Sequence, residues 1–351
     1  MRDRDKKRQH LHTLVEHLDI TQVNVVPLLD MMGQTAFSAR DLARAGRILD
    51  MMVRDESCGI ILTLAGSVVS AGQRKVIVDL LEANMVDAIV STGANIVDQD
   101  FFEALGFRHY QGDKFMDDNA LRELMIDRIY DTYIDEEELR RCDDTVRDIA
   151  SGMAPGTYSS REFIAEMARY LQRRGLGEDS IVRTAYERGV PIFVPAFSDC
   201  SAGFGLVHHQ EHNPDAHVAI DSVKDFRELT RIKVNQGTTG ILMLGGGVPK
   251  NFVQDIVVSA EYLGHEADMH KYAVQLSVAD ERDGALSGST LKEASSWGKV
   301  DTTWEQMVYG ELTVTFPLVA GYVWHKRGWE GRAPRRYDRL FQAEREAVTS
   351  G

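Results

Sequence analysis

Cysteine is scarce in this sequence, which has Cys58, Cys142 and Cys200 among its 351 residues. Three thiols cannot all pair within one chain, and none of them belongs to a CxxC motif. A disulfide scaffold is therefore excluded, and a cysteine-based zinc site is not expected. The same scarcity predicts a reducing, cytoplasmic environment.

Long hydrophobic runs and an excess of basic residues are also missing. The longest apolar run near the end, FPLVAGYVW, is far shorter than the roughly 20 residues that a membrane-spanning helix needs. The first residues, MRDRDKKRQHLH, are charged and lack the apolar region of a signal peptide. The net charge of −14 argues against general affinity for nucleic acid or anionic lipid and is compatible with cationic small molecules.

A repeated unit dominates the rest of the sequence: a short apolar run, a turn of small residues, and then an amphipathic helix. Clear examples begin at GIILTLAGS, VDAIVSTGAN, VPIFVPAFSD and TGILMLGGG. Apolar runs of this length, bounded by turns, are typical of buried parallel strands, and the helices that follow are typical of crossover connections. Repetition of the unit predicts an α/β fold with a doubly wound, mostly parallel sheet and helices on both faces.

The domain organisation follows from shifts in composition. Residues 1–24 form a predicted charged helical extension, and 25–325 form a single domain. Within that domain, residues 113–188 are rich in charge and predict a helical insertion, in which a serine caps the helix that begins at SREFIAEMARYLQRR. Residues 326–351 are polar and arginine-rich, and we expect a tail whose end is loosely ordered.

Four loops that follow predicted strands are rich in small and polar residues. Gly245, Gly246 and Gly247 make the most obvious one, and the others cover residues 65–72, 91–98 and 283–288. A single glycine triplet predicts only a tight turn, but several such loops at equivalent strand ends favour a dinucleotide. An acidic residue in one of the loops, Asp98 or Glu311, is a candidate for binding a ribose hydroxyl.

A histidine cluster, His208, His209 and His212 in HHQEH, is the other conspicuous motif. His208 and His212 are four residues apart, but the spacing is not HExxH, and the turn signal NPD follows directly. We expect a solvated loop here and no metal.

The order of four segments, STGANIVDQDFFEALG, ILMLGGGVPKN, SGSTLKEASSWGKV and YGELTVTFPLVA, resembles the deoxyhypusine synthase family, in particular its bacterial deoxyhypusine-synthase-like branch. The resemblance covers roughly residues 25 to 325 by eye, and the segment that ends in WGK is its most specific element. It implies a Rossmann-like domain, an NAD cofactor, tetramers built from dimers with active sites near a subunit interface, and transfer of the aminobutyl group of spermidine to an amine.

The resemblance also implies roles for individual residues on the substrate side. Lys299 matches the catalytic lysine that carries the butyl fragment as an imine, and such a lysine requires a dry pocket that favours the neutral amine. Trp297 matches the tryptophan that packs on the polyamine chain. Glu293 and Asp199 match carboxylates that contact the substrate, and Asn251 stands where eukaryotic members have a histidine.

The NAD site implied by the resemblance comprises residues from all of the small-residue loops and one further acid. These residues are Ser67, Thr92, Gly93, Asp98, Gly246, Gly247, Asp283, Gly284 and Glu311.

Two further departures affect the substrate: Phe204 and Leu286 replace carboxylates of the family pattern. The acceptor can then be a protein lysine, which gives deoxyhypusine, or a small amine such as putrescine, which gives homospermidine; the departures favour the small amine. The alternative is an NAD-dependent polyamine dehydrogenase without covalent transfer. A binding protein without turnover is disfavoured, because Lys299, Trp297 and Glu293 occur together.

Overall fold

The computed structural model describes residues 2–286 and 290–342. Two π-helical segments cover Val69–Gln73 and Ala94–Phe101, and a 3-10 turn covers Gly284–Leu286. In the described ranges, no helix is both long enough and apolar enough to cross a membrane.

The strands are β1 (Gly59–Leu64), β2 (Ala88–Ser91), β3 (His109–Gln111), β4 (Ile126–Ile129), β5 (Thr132–Asp135), β6 (Gly156–Tyr158), β7 (Ile192–Phe193), β8 (Val218–Ile220), β9 (Thr239–Leu244), β10 (His270–Ser277) and β11 (Val300–Tyr309). The helices are α1 (Arg2–His10), α2 (Val26–Met32), α3 (Phe37–Arg54), α4 (Arg74–Glu82), α5 (Phe102–Ala104), α6 (Asp118–Glu123), α7 (Glu136–Ser151), α8 (Ser160–Arg174), α9 (Ile181–Arg188), α10 (Ser201–His212), α11 (Ser222–Gln236), α12 (Gly247–Tyr262), α13 (Leu291–Ser296) and α14 (Leu312–Lys326).

The main sheet has six strands in the order β11-β10-β9-β1-β2-β7, and every neighbouring pair is parallel. The chain starts at β1 in the middle and moves outward through β2 to β7. It then returns to the other side of β1 and moves outward from β9 to β11. The winding therefore reverses between β1 and β9, which is the switch point where doubly wound sheets bind ligands. The predicted fold class is confirmed.

Helices cover both faces of this sheet, as the central strand shows. Ile60 and Leu62 in β1 belong to one apolar cluster with residues such as Leu49 of α3. Ile61, which points to the opposite face, belongs to a second cluster with Leu229 of α11. Because successive side chains of a strand alternate between faces, β1 is buried along its whole length and reads as a continuous apolar run.

The predicted helical insertion is partly wrong. Helices α7, α8 and α9 lie where expected, and Ser159 caps α8 in a capping box with Glu162. Residues 126–135, however, form an antiparallel hairpin of β4 and β5, and β3 completes a three-stranded sheet. Met125 and Tyr130 have φ angles of 54° and 55°, which interrupt any helix at both ends of β4.

The histidine motif is also helical rather than a loop, because α10 continues to His212 before the turn begins. His208 and His212 stack with ring centroids 4.2 Å apart on its exposed side. His209 is buried, and its Nε2 accepts the Val218 N–H at 3.1 Å. Across the described ranges, no group of three or more His, Cys, Asp or Glu side chains is arranged to hold a metal ion.

Both ends of the described chain pack on the domain. Near the start, the Lys7 ammonium pairs with Asp135 at 2.7 Å. Near the end, the Arg332 guanidinium forms a buried ion pair with Asp87 at 2.6 Å and also donates a hydrogen bond to the Cys58 carbonyl. The boundaries at residues 24 and 325 stay predictions, and the expected loose end lies largely in residues 343–351, outside the described residues.

The Arg332 contact predicts that the C-terminal segment contributes substantially to stability. Arg332→Met leaves the Asp87 carboxylate buried without its cation, which costs about 3–5 kcal/mol in the free energy of unfolding. Chemical denaturation measures the loss. The matched control is Arg327→Met, because Arg327 is exposed and pairs with Glu330 at the surface; we expect little change there. Equal stability of the two variants would contradict this role for Arg332.

Candidate functional site

All nine predicted cofactor residues follow the carboxyl end of a strand in the main sheet. Because the six strands are parallel, these loops meet at one edge of the sheet. Asp199, a predicted substrate residue, follows β7 at the same edge. The cofactor residues are Ser67 after β1, Thr92, Gly93 and Asp98 after β2, Gly246 and Gly247 after β9, Asp283 and Gly284 after β10, and Glu311 after β11.

Asn95 joins two of these loops and was missed by sequence reasoning. Its fully buried amide accepts the Val68 N–H at 3.0 Å and donates to the Gly66 carbonyl at 2.7 Å and the Thr92 hydroxyl at 2.9 Å. One side chain therefore holds the loop after β1 against the loop after β2. The asparagine lies in the motif STGAN, but the motif alone does not indicate that this side chain joins two loops.

The glycine triplet is required by its geometry. Gly245 and Gly247 have φ angles of 78° and 63°, in the left-handed region that favours glycine. Gly246 lies so close to the next loop that a Cβ would come within 2.3 Å of the Ala285 carbonyl oxygen. The triplet brings the loop after β10 against the start of α12, whose first N–H groups lie at the switch point.

Asp98 is a half-buried acid among other acids. Its Oδ1 accepts the Ser201 N–H at the start of α10, at 2.8 Å. Burial, together with the charges of Asp143 and Asp199, raises the pKa of Asp98 from 3.8 to about 7. Burial likewise raises the pKa of Asp143 to about 6. In this corner of the site, burial therefore favours the protonated form of both carboxyls.

The WGK segment ends helix α13, and Lys299 follows directly after the turn. Trp297 caps α13, and Gly298 follows with a φ angle of 70°. The Gly298 N–H donates to the Ser295 carbonyl and the Lys299 N–H to the Ala294 carbonyl, each at 3.0 Å. This is the Schellman pattern, in which only glycine adopts the left-handed position without a steric cost.

Lys299 lies in a small polar and aromatic cluster. Its side chain is 15% exposed, and its Nζ is 2.5 Å from the Asp255 carboxylate on α12. The same Nζ lies 5.3 Å from the centroid of the Trp297 ring, which is 66% exposed. Within a single chain, Lys299 is therefore largely shielded from water, but its ammonium is paired with a carboxylate. The expected pocket was dry and favoured the neutral amine. Asp255 belongs to no recognisable motif, so its position beside Lys299 is not predicted by the sequence.

A buried hydrogen-bond chain holds the backbone at Lys299. The His270 N–H donates to the Lys299 carbonyl at 2.9 Å, and the His270 ring links the Thr239 hydroxyl, at 2.8 Å, to the Val253 carbonyl, at 2.9 Å. Burial lowers the pKa of His270 to about 3, with a further contribution from the Lys233 charge. The neutral ring therefore donates from Nε2 to α12 and fixes Lys299 relative to this helix.

The Lys299 cluster and the predicted cofactor loops lie at opposite edges of the main sheet. Lys299 precedes β11, at the amino edge of the sheet, whereas the loops are at the carboxyl edge. Asp255 follows Gly247 by eight residues, which places it about 12 Å further along α12. Asn251 lies halfway between them, exposed on the helix face that it shares with Asp255. This face of α12 connects the two edges.

Several predicted polar groups already have local partners. Glu293 accepts the Thr290 N–H at 2.6 Å in the capping box of α13. Glu311 caps α14 through the Thr313 N–H at 2.9 Å. Leu286 is fully buried, and its carbonyl accepts from the buried Lys250 ammonium at 2.6 Å. An acid introduced at Leu286 would therefore be buried rather than face a substrate, whereas Phe204 is 70% exposed.

The chain is similar to known proteins over most of its length. The family model described as Deoxyhypusine synthase matches residues 27–323. This chain belongs to the deoxyhypusine synthase family. It is 66% identical over 340 residues to the deoxyhypusine synthase-like protein of Chlorobaculum tepidum, covering 97% of both chains. It is 40% identical over 319 residues to the probable deoxyhypusine synthase 2 of Methanosarcina mazei, covering 90% of this chain and 92% of that one.

Among solved structures, a putative deoxyhypusine synthase from Entamoeba histolytica has a TM-score of 0.58 with 19% identity, covering 89% of this chain and 97% of that one. At this identity the likeness concerns the fold. The family relationship indicates an enzyme of the aminobutyltransferase type. The roles of the individual site residues stay predictions.

The Asp98 environment predicts a pH-dependent effect on stability. Because folding raises the pKa of Asp98 from 3.8 to about 7, its favourable contribution is complete below about pH 4 and is lost as the pH rises to 7. Asp98→Asn cannot ionise, so the variant should gain on the order of 1–3 kcal/mol relative to the parent between pH 4 and pH 8.

Denaturation of both proteins across this pH range measures the difference. Asp215→Asn is the control, since Asp215 is exposed, and its difference from the parent should stay constant with pH. A constant difference for Asp98→Asn as well would contradict the buried, acid-surrounded setting of Asp98.

Proposed function

We propose that this protein transfers the aminobutyl group of spermidine, or of a related polyamine, to an amine acceptor through a covalent imine on Lys299, with NAD as cofactor. The observation that carries the proposal is the Lys299 cluster. A lysine held by a helix stop, 15% exposed and next to an exposed tryptophan and a carboxylate, suits a substrate with an aliphatic chain and ammonium groups.

The loops at the carboxyl edge fit NAD. Gly246 and Gly247 at the start of α12 allow backbone N–H groups to approach phosphates, and Ser67 and Thr92 offer hydroxyls on the other side of the switch point. NAD would accept a hydride from the carbon next to a substrate amine and later return it. Asp98 would bind a ribose hydroxyl, which requires that its neighbours Asp143 and Asp199 leave it accessible from the crevice.

Lys299 would act after the substrate has become an imine. Its neutral amine attacks the imine carbon, and 1,3-diaminopropane leaves, so that the aminobutyl fragment is held on Nζ. The acceptor amine then displaces Lys299 in the same way. Trp297 would pack on the methylene chain, and Asp199, Asn251 and Glu293 would bind polar ends; Glu293 must share its carboxylate with the cap of α13.

A second copy of the chain would complete the site. The separation of about 12 Å along α12 and the exposed Trp297 support an arrangement in which the Lys299 region of one subunit faces the cofactor loops of another. We therefore propose a symmetric dimer that assembles further into a homotetramer. The free thiols of Cys58, Cys142 and Cys200 are consistent with a cytoplasmic location.

A small amine is the favoured acceptor. Phe204 is exposed where the family pattern has an acid, and Leu286 is buried, so neither position supplies a carboxylate for a long cationic substrate or a protein lysine. Putrescine as the acceptor would give homospermidine. A protein lysine, giving deoxyhypusine, is tested as the other acceptor.

Lys299→Arg tests the covalent step. Arginine keeps the positive charge near Asp255 but cannot form the imine, because its pKa is above about 12. We expect transfer to be lost while NAD still raises the thermal stability of the variant. The products of spermidine, NAD and a panel of amines identify the acceptor, and borohydride should add one aminobutyl mass to the WGK peptide of the parent alone.

Transfer at the parental rate by Lys299→Arg would overturn the covalent role. Oxidation of the polyamine without transfer in the parent protein would instead favour the alternative, an NAD-dependent polyamine dehydrogenase.

A further inference from the structure

Asp255 is the carboxylate nearest to the reactive amine, and neither the motifs nor the resemblance pointed to it. Its Oδ1 lies 2.5 Å from Lys299 Nζ, and its side chain is 41% exposed, compared with 15% for Lys299. The carboxylate therefore touches the lysine on one side and is open to an incoming molecule on the other.

Imine exchange at a lysine requires a group that contacts both the lysine nitrogen and the nitrogen of the substrate. The attacking Lys299 must be neutral, and it gains a positive charge when its nitrogen bonds to the imine carbon. The leaving amine must gain a proton before its C–N bond breaks. A carboxylate that reaches both nitrogens can move this proton without bulk water.

Resting on the proposed function, we propose that Asp255 is the proton acceptor and donor for the exchanges at Lys299. Asp255 takes a proton from the Lys299 ammonium and passes it to the nitrogen of the substrate imine, so that a neutral amine attacks an iminium carbon. The new N–C bond forms, the Lys299 nitrogen passes one proton to the Asp255 carboxylate, and Asp255 gives that proton to the departing nitrogen as its C–N bond breaks. The same sequence runs in the other direction when the acceptor displaces Lys299, so Asp255 ends each cycle as it began.

The other polar groups of the cluster are less suited to this role. The Glu293 carboxylate accepts the Thr290 N–H at 2.6 Å in the α13 cap. The buried Lys250 ammonium donates to the Leu286 carbonyl at 2.6 Å. Asp255 is also held in position by the fold, because the neutral His270 ring bonds to Val253, two residues earlier on α12, and its backbone bonds to Lys299.

Asp255→Asn separates proton exchange from substrate binding, because asparagine has the same shape and cannot take up the proton. Glu261→Gln is the matched control: it also neutralises an acid of α12, at an exposed position six residues beyond Asp255, which is about 9 Å further along the helix. Two measurements are made on both variants and on the parent, after melting curves have shown that each is folded.

The first measurement uses the protein without NAD or substrate. A water-soluble acylating reagent, which reacts only with neutral amines, is applied at one fixed pH, and labelling of the WGK peptide is followed by mass spectrometry. Loss of the carboxylate should increase the labelling rate of Lys299 on the order of tenfold in Asp255→Asn, with no change in Glu261→Gln. Equal rates would overturn the proposal.

The second measurement is aminobutyl transfer from spermidine. We expect kcat of Asp255→Asn to fall by about 10²- to 10⁴-fold, while KM for spermidine changes little and Glu261→Gln resembles the parent. A large rise in KM with kcat unchanged would overturn the proposal and make Asp255 a substrate anchor. If the parent itself transfers nothing, the proposed function fails and this role fails with it; a parent and an Asp255→Asn variant that are equally active would refute the role alone.

Discussion

The common direction of the six strands is the constraint on which the rest of the structure depends. Parallel strands carry all their carboxyl ends to one edge, so loops that are far apart in the sequence, such as those of Ser67 and Gly246, meet at the switch point between β1 and β9. The same constraint puts Lys299 at the opposite edge, because it precedes β11 rather than follows it. The loops proposed to bind NAD and the lysine proposed to react are thereby separated within one chain, and α12, with Asn251 and Asp255 on one face, connects the two edges of the sheet.

The position of Lys299 is set by the local termination of α13 and by one long-range hydrogen-bond network. The Schellman turn at Gly298 ends α13 and leaves Trp297 exposed, and the buried ring of His270 ties the turn to α12. The turn is a backbone arrangement and the His270 ring is held by buried hydrogen bonds, so the position of Lys299 relative to Asp255 does not depend on flexible side chains alone. The proposed mechanism uses Lys299 as a neutral amine, so its ion pair with Asp255 must be released before the attack. Substrate binding and a facing subunit would then exclude water from the lysine.

Sequence patterns were sufficient for the fold class and for the strand ends on which the candidate site lies, because buried parallel strands are short apolar runs with glycine-rich ends. They failed at β4 and β5, where a charged segment with a helical composition is folded back by the left-handed residues Met125 and Tyr130. They also failed at HHQEH, since the turn signal acts only after His212. Asn95 and Asp255 could not be identified, because an amide that joins two loops and an acid that meets a lysine 44 residues away acquire their roles only from tertiary structure.

The central claim is that Lys299 of one subunit works with the cofactor loops of another, and a subunit-complementation assay tests it most directly. Gly246→Val, whose Cβ would clash with the Ala285 carbonyl, and Lys299→Arg are each expected to be inactive alone. They are expressed together with different tags, and the mixed oligomers are purified through both tags. If the sites are shared between subunits, each mixed dimer contains one site with both wild-type residues, and its turnover should recover to about half the parental value. Mixed oligomers as inactive as Gly246→Val alone and Lys299→Arg alone would show that each site is formed within a single chain.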